Sequence, residues 1–329
     1  MTERLTVLTT AILAGVFAVG VVSAGAQQLP PGGAFPFTQA GPPGADFSGV
    51  WQPRYHEDQP DRIPGPELTD YTGVPLNESA RQYANSWDPS RLTLPEEQCR
   101  VHVSPYIYRG PLNLRIWEEK DPKTQDLIAL KHYTSTFEQT RTIWMDGRPH
   151  PGPNAPHTWM GFSTGRYDGD MLIVETTHLK KGWVRRNGVP MSDRAKMTEY
   201  MVRNGEVMTH IVVLIDPVYL TEPLIKSQDF VRSQRELPAG TWLWVCDPVL
   251  EIATREEGEV PAYIPGEHPF KEEYSRRHAI PDVGVRGGAA TMYPEFQEVL
   301  KKAPIPPPLP PPQTGASRVT GPGQQQGGR

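Results

Sequence analysis

Cysteine is nearly absent, with only Cys99 and Cys246 in 329 residues. No C-x-x-C pair is present, which excludes a zinc ribbon, a dithiol redox motif and a disulfide-dense miniature scaffold. A basic excess is missing too: 33 Lys and Arg stand against 38 Asp and Glu, a formal charge of −5. That removes the electrostatic footprint of a nucleic-acid binder. Long helices are excluded by 37 Pro and 30 Gly, residues that interrupt helices and central strands. Hydrophobic residues reach only 37%, below the usual ~45–50%, so a core is expected in part of the chain, anchored by aromatic residues. Beyond one N-terminal run, no stretch is long and apolar enough to span a bilayer.

That run defines the first segment. Arg4, the apolar stretch Val7 to Val22 and Ala24-Gly25-Ala26 have the charge, length and small-residue ending of a secretory leader cut after Ala26. Residues 1–26 are expected to be removed, leaving a secreted or periplasmic protein with no membrane span. Residues 27–45, rich in Gly and Pro, are expected to be a flexible linker. Residues 303–329, with Pro304 to Pro312 followed by a Gly/Gln-rich run, are expected to be a disordered tail, in part polyproline II, that a proline-binding partner can recognise. Export places Cys99 and Cys246 where disulfides persist, and a bridge between them would contribute on the order of 4–5 kcal/mol by loop entropy.

Between the ends, short β-branched or aromatic runs bounded by Gly, Pro, Asp or Asn recur from residue 112 to 245. They predict an antiparallel meander over residues 46–250 that closes into a mainly β, lipocalin-like barrel. Short peripheral helices are expected at Glu78 to Asn85, capped by Asn77, and at Tyr293 to Lys302 across the barrel exterior. The rest of 251–302 reads as a loop-rich extension. Asp168-Gly169 and Asn204-Gly205 read as two-residue hairpin loops. Those loops set Glu199 opposite His210, and Gly161, Ser163 and Gly165 as a row of small residues on one face.

Two resemblances accompany this pattern. Gly49-Val50-Trp51 resembles the G-x-W opening of lipocalin-type barrels, whose Trp plugs one end. Asp146-Gly147-Arg148-Pro149-His150-Pro151 and the run Gly161 to Thr176 resemble a widespread group of uncharacterised secreted bacterial proteins with the patterns D-G-R-x-H-P and G-x-S-x-G-x-W-E-G-D-T-L-V-V-E-T. The group's W-E is Tyr167-Asp168 here and its T is Met171. This resemblance implies secretion and the meander, and brings no activity with it.

Chemistry is carried by several candidates. Gly161-Phe162-Ser163-Thr164-Gly165 matches G-x-S-x-G, but a hairpin follows where a nucleophile elbow needs a helix, so Ser163 reads as a small strand residue. His210 with Glu199 can form a general-base pair if their face points inward, with Arg148 or Tyr200 stabilising negative charge. His150, His157 and His178 are candidate ligands for a divalent metal, although neither H-x-H nor H-E-x-x-H is present. Arg141, Arg148 and Arg166 are candidates for an anionic group. The favoured expectation is a small-molecule-binding barrel whose partly apolar ligand contacts Trp144, Trp159 and Tyr200 beside Gly161, Ser163 and Gly165. An isomerase or hydrolase on the same barrel is the alternative.

Overall fold

In the computed structural model the described residues are 45–54, 66–88, 91, 102–108, 113–135, 138–185, 187–234 and 262–309. The expected leader, nearly all of the 27–45 linker, Cys99, Cys246, the strand expected at 241–245 and residues 310–329 lie outside them.

A closed barrel carries the fold. Its strands are β1 (Gly49–Pro53), β2 (Leu114–Lys120), β3 (Leu127–Thr134), β4 (Gln139–Trp144), β5 (Phe162–Asp168), β6 (Met171–Thr177), β9 (Lys196–Asn204), β10 (Val207–Ile215) and β11 (Leu224–Ser233). Around the wall they follow the order β1-β11-β10-β9-β6-β5-β4-β3-β2, with β1 pairing β2 to close it. The expected mainly β barrel is present. It departs from a pure antiparallel meander at one junction, where β4 and β5 run parallel. A parallel neighbour needs a crossover rather than a hairpin, and the segment between Trp144 and Phe162 supplies it. Between β6 and β9 the chain inserts a two-stranded ribbon, β7 (Gly182–Trp183) with β8 (Pro190–Met191).

Both glycine hairpins form, each displaced by one residue from expectation. Asn204 pairs Val207, so the loop is Gly205-Glu206; Asp168 pairs Met171, so the loop is Gly169-Asp170. Positive φ falls on the first loop residue alone, Gly205 at 60° and Gly169 at 57°. That is the type II′ requirement, which spares Asn and Asp a left-handed backbone. The displacement moves each cross-strand pair by one step on both strands, so parity is conserved. Glu199 pairs Val212 and His210 pairs Met201, yet Glu199 and His210 remain diagonal neighbours on one face.

Helix α1 (Glu78–Asn85) begins as expected, with the Asn77 side chain accepting from the Ala80 N–H at 2.9 Å. A one-turn helix, α2 (Ser104–Ile107), presents Tyr108 to the barrel interior. The 251–302 region holds more helix than its composition suggested: α3 (Phe270–His278), α4 (Asp282–Arg286), a 3₁₀ turn over Gly288–Met292 and α5 (Pro294–Lys302). Helix α5 packs on these neighbours and not across the barrel wall, because α4 and the 3₁₀ turn present Gly284 and Gly287, where an added Cβ would meet Leu300 and Phe296. The start of the proline run docks on α3, where Arg276 donates to the Pro307 and Pro308 carbonyls, both at 3.0 Å. Among the described residues no helix is long and apolar enough to cross a membrane.

Alternation along the strands stacks the interior in layers. One apolar cluster contains Phe47, Trp51, Leu114, Ile143, Leu172, Met201, Met208 and Phe230; the other contains Leu179, Val184, Met191, Met197, Val212 and Leu214. On β10 the inward residues run Met208, His210, Val212, and on β9 they run Met201, Glu199, Met197. A polar layer therefore lies between the two clusters. Trp51 closes the first end, fully buried, with its indole N–H donating to the Phe47 carbonyl at 2.8 Å and the Arg203 guanidinium over its ring.

Candidate functional site

The polar layer is built by inward positions of six strands: Gln139 and Arg141 on β4, His132 on β3, Ser163 on β5, Thr176 on β6, Glu199 on β9 and His210 on β10, with Gln228 added from β11. Arg141 is its hub. Its Nε–H donates to Ser163 Oγ at 3.0 Å, Nη1 to Tyr108 Oη at 3.0 Å and Glu199 Oε1 at 2.8 Å, and Nη2 to Thr176 Oγ1 at 2.6 Å and Glu199 Oε2. A guanidinium has five N–H donors, and all are used. Arg141 and Glu199 are each 1% exposed.

Protonation follows from these contacts. Burial alone would raise the Glu199 carboxyl, but the Arg141 charge and hydrogen bonds from Arg141 and His210 hold it well below the usual carboxylate range. Arg141 is held above its ordinary value against the same desolvation, chiefly by Glu199. An ionised Glu199 can only accept, so His210 Nε2, 2.9 Å from Oε1, carries the hydrogen. Tyr108 accepts from Arg141, and burial pushes its hydroxyl up to about 12. Its own proton therefore points to His132 Nδ1, 2.9 Å away. Burial, reinforced by the Arg141 charge, holds His132 down at about 3, so the ring is neutral with its hydrogen on Nε2. That Nε2 is buried with no hydrogen-bond partner among the described residues, and so are both amide atoms of Gln139 and of Gln228.

Above the layer, on the side of the second apolar cluster, Pro105, Val184, Val212, Leu214, Leu224 and Lys226 line a small open cleft. The β10–β11 register leads inward from it in pairs: Leu214 with Leu224, Val212 with Lys226, then His210 with Gln228.

Of the residues singled out in the sequence, the fold brings together Glu199, His210, Ser163 and Arg141. Ser163 is fully buried inside β5, bonded to Arg141 and to Thr176, with further strand after it. Arg148 and Tyr200 do not join them. Arg148 pairs with Asp146 and lies 3.4 Å from the Trp144 ring centre, while Tyr200 alternates with Glu199 onto the outer face, opposite Ile211 and Ile173. Trp144 is on the outer face of β4 for the same reason, since it alternates with the buried Arg141 and Ile143. Trp159 packs on the second cluster under Lys180, and its carbonyl accepts from the Ser104 N–H that begins α2. The small-residue row offers no space for a ligand: a Cβ at Gly165 would sit 2.6 Å from Met145 Sδ, and one at Gly161 2.6 Å from Thr176 Cγ2.

The three metal candidates are neighbours held by hydrogen bonds. His150 contacts Thr177 and Thr164 hydroxyls at 2.7 and 2.8 Å, His178 contacts Thr177 and the Gly152 carbonyl, and His157 donates from Nδ1 to the Leu179 carbonyl at 2.8 Å. Among the described residues no group of three or more His, Cys, Asp or Glu side chains is disposed to hold a metal ion. Tyr108, His132, Gln139 and Gln228 were not singled out for chemistry as a group. Their signal was strand parity, since Gln228 shares a face with Phe230, and Gln139 and Arg141 share one with Ile143.

No protein-family model matches the chain, and neither does any curated protein or any solved structure.

Proposed function

We propose that this is an exported protein whose barrel binds one small, partly apolar molecule at the end away from Trp51. The observation that carries the reading is a small open cleft, apolar at Val184, Val212, Leu214 and Leu224, with Lys226 at its side. Binding sites combine such an apolar wall with a few convergent polar groups.

Native mass spectrometry of the protein from its host tests this. The mature chain is expected to begin at Gln27, to carry the Cys99–Cys246 bridge and to release a small organic molecule on denaturation. Leu224→Trp fills the cleft and is expected to abolish that molecule while the circular dichroism spectrum is unchanged. A wild-type protein that is empty, and that no apolar fragment stabilises in a thermal-shift screen, overturns the reading.

The 2.9 Å contact between His210 and Glu199 favours a second reading, hydrolysis or isomerisation with His210 as base and Glu199 orienting it. It requires His210 Nδ1 to reach the substrate, because Nε2 is committed to Glu199. Turnover would then vanish in His210→Ala with ligand binding retained.

A further inference from the structure

The first part of the proline run takes the polyproline II form against the C-terminal extension. Ala303 enters it at φ −77° and ψ 142°, the angles of that helix. Burial then repeats every three residues: Ala303, Pro306 and Leu309 are half-buried, while Pro304, Ile305, Pro307 and Pro308 are exposed. Three residues make one turn of polyproline II, so one edge rests on the body and the other two face outward. Arg276 on α3 fixes the run, its Nε and Nη2 donating to the consecutive Pro307 and Pro308 carbonyls, both at 3.0 Å. Glu272, one turn earlier on α3, lies 3.6 Å from the Arg276 Nη1. Polyproline II makes no internal hydrogen bonds, so its carbonyls are available to such a donor.

We infer that residues 304–308 are a preformed ligand for a partner protein whose groove is lined by aromatic side chains and rimmed by carboxylates. One outward edge carries Pro304 and Pro307, a P-x-x-P pair, and the other carries Pro308 and Ile305, which is 68% exposed. Aromatic grooves take such segments because polyproline II has little conformational freedom left to lose. Lys301 and Lys302, exposed in the last turn of α5, stand immediately ahead of the pair, and carboxylates at the rim of the groove match their charge. A run anchored on α3 is ordered before the partner arrives, so its binding loses less entropy than that of a loose tail. The rival is a brace, in which the run only ties the end of α5 to α3.

Purified, isotope-labelled SH3, WW and EVH1 domains, titrated with the mature full chain and followed by NMR at their groove residues, separate the two. At least one domain is expected to bind, about tenfold more tightly to the full chain than to a synthetic peptide of residues 298–312. Arg276→Met, which releases the run, is expected to lower the affinity of the full chain to that of the peptide. Pro304→Ala with Pro307→Ala is expected to abolish binding by chain and peptide alike, with the circular dichroism spectrum of the chain unchanged. A full chain that binds more weakly than the peptide, and recovers in Arg276→Met, overturns the proposal in favour of a run hidden by its anchor. Equal affinities for the full chain, Arg276→Met and the peptide mean that anchoring adds nothing, and overturn it too. So does failure of all three domains to bind chain and peptide, the result a brace predicts.

Discussion

Arg141→Met is expected to lower the free energy of unfolding by about 3–5 kcal/mol, seen as a large drop in the urea midpoint with the slope unchanged. Against a typical total of ~5–15 kcal/mol this is a large fraction of the fold's stability. The cause is what the substitution leaves behind. Glu199 is 1% exposed and its two oxygens are held by Arg141. Without the guanidinium it must either stay ionised in an apolar interior or take up a proton, and both cost free energy.

The double variant Arg141→Met with Glu199→Met is expected to recover most of that loss, since it leaves no unmatched charge. Ser163 can still pair with Thr176 at 3.0 Å and Tyr108 with His132 at 2.9 Å, while the His210 Nε2–H loses its acceptor, which keeps the recovery short of complete. A single variant that costs less than about 1 kcal/mol would mean the pair behaves as a surface ion pair, and the layer is not sealed. A double variant as unstable as the single would place the stabilisation in the Arg141 hydrogen bonds to Ser163, Thr176 and Tyr108.

Acid is expected to destabilise the protein well before carboxylates titrate. His132 is held at about 3 in the fold, chiefly by burial, against ~6.5 in the unfolded chain. Between those values the unfolded state binds a proton that the folded state refuses, so stability falls as pH falls, approaching about 1.4 kcal/mol per pH unit for this one group. Glu199 acts with the same sign lower down. Its contribution is present above the unfolded carboxylate value of ~4.3 and is lost only as pH falls through its depressed folded value.

Urea midpoints measured from pH 7 to pH 4 in wild type and in His132→Gln separate the two. The variant lacks the ring at 132, so its midpoint should decline less steeply than wild type from pH 6.5 to 4.5, with a residual slope from His150 and His268, which burial also holds below their ordinary values. Parallel curves would show that His132 is not the group responsible.

The barrel was legible because strand residues repeat with a period of two and hairpin glycines mark the reversals, both properties of a few consecutive residues. β2 to β11 fall within the expected stretch from residue 112 to 245, and α1 begins at its expected cap. Parity also put Glu199 and His210 on one face, and that survived a hairpin displaced by one residue, since a shift by whole pairs leaves faces unchanged. The parallel β4–β5 junction had no local signature, because it is made by residues brought together across a crossover.

The polar layer was decided by closure alone. Whether an alternating strand turns Arg141 or Trp144 inward depends on the curvature of the whole sheet, and either choice satisfies the strand itself. For this reason Arg148, Tyr200 and Trp144 looked as suitable for a site as Arg141, Tyr108 and Gln228. Local sequence determined the strands, their turns and which side chains share a face. Only the closed barrel determined which face is inside, and with it which charges must find one another away from water.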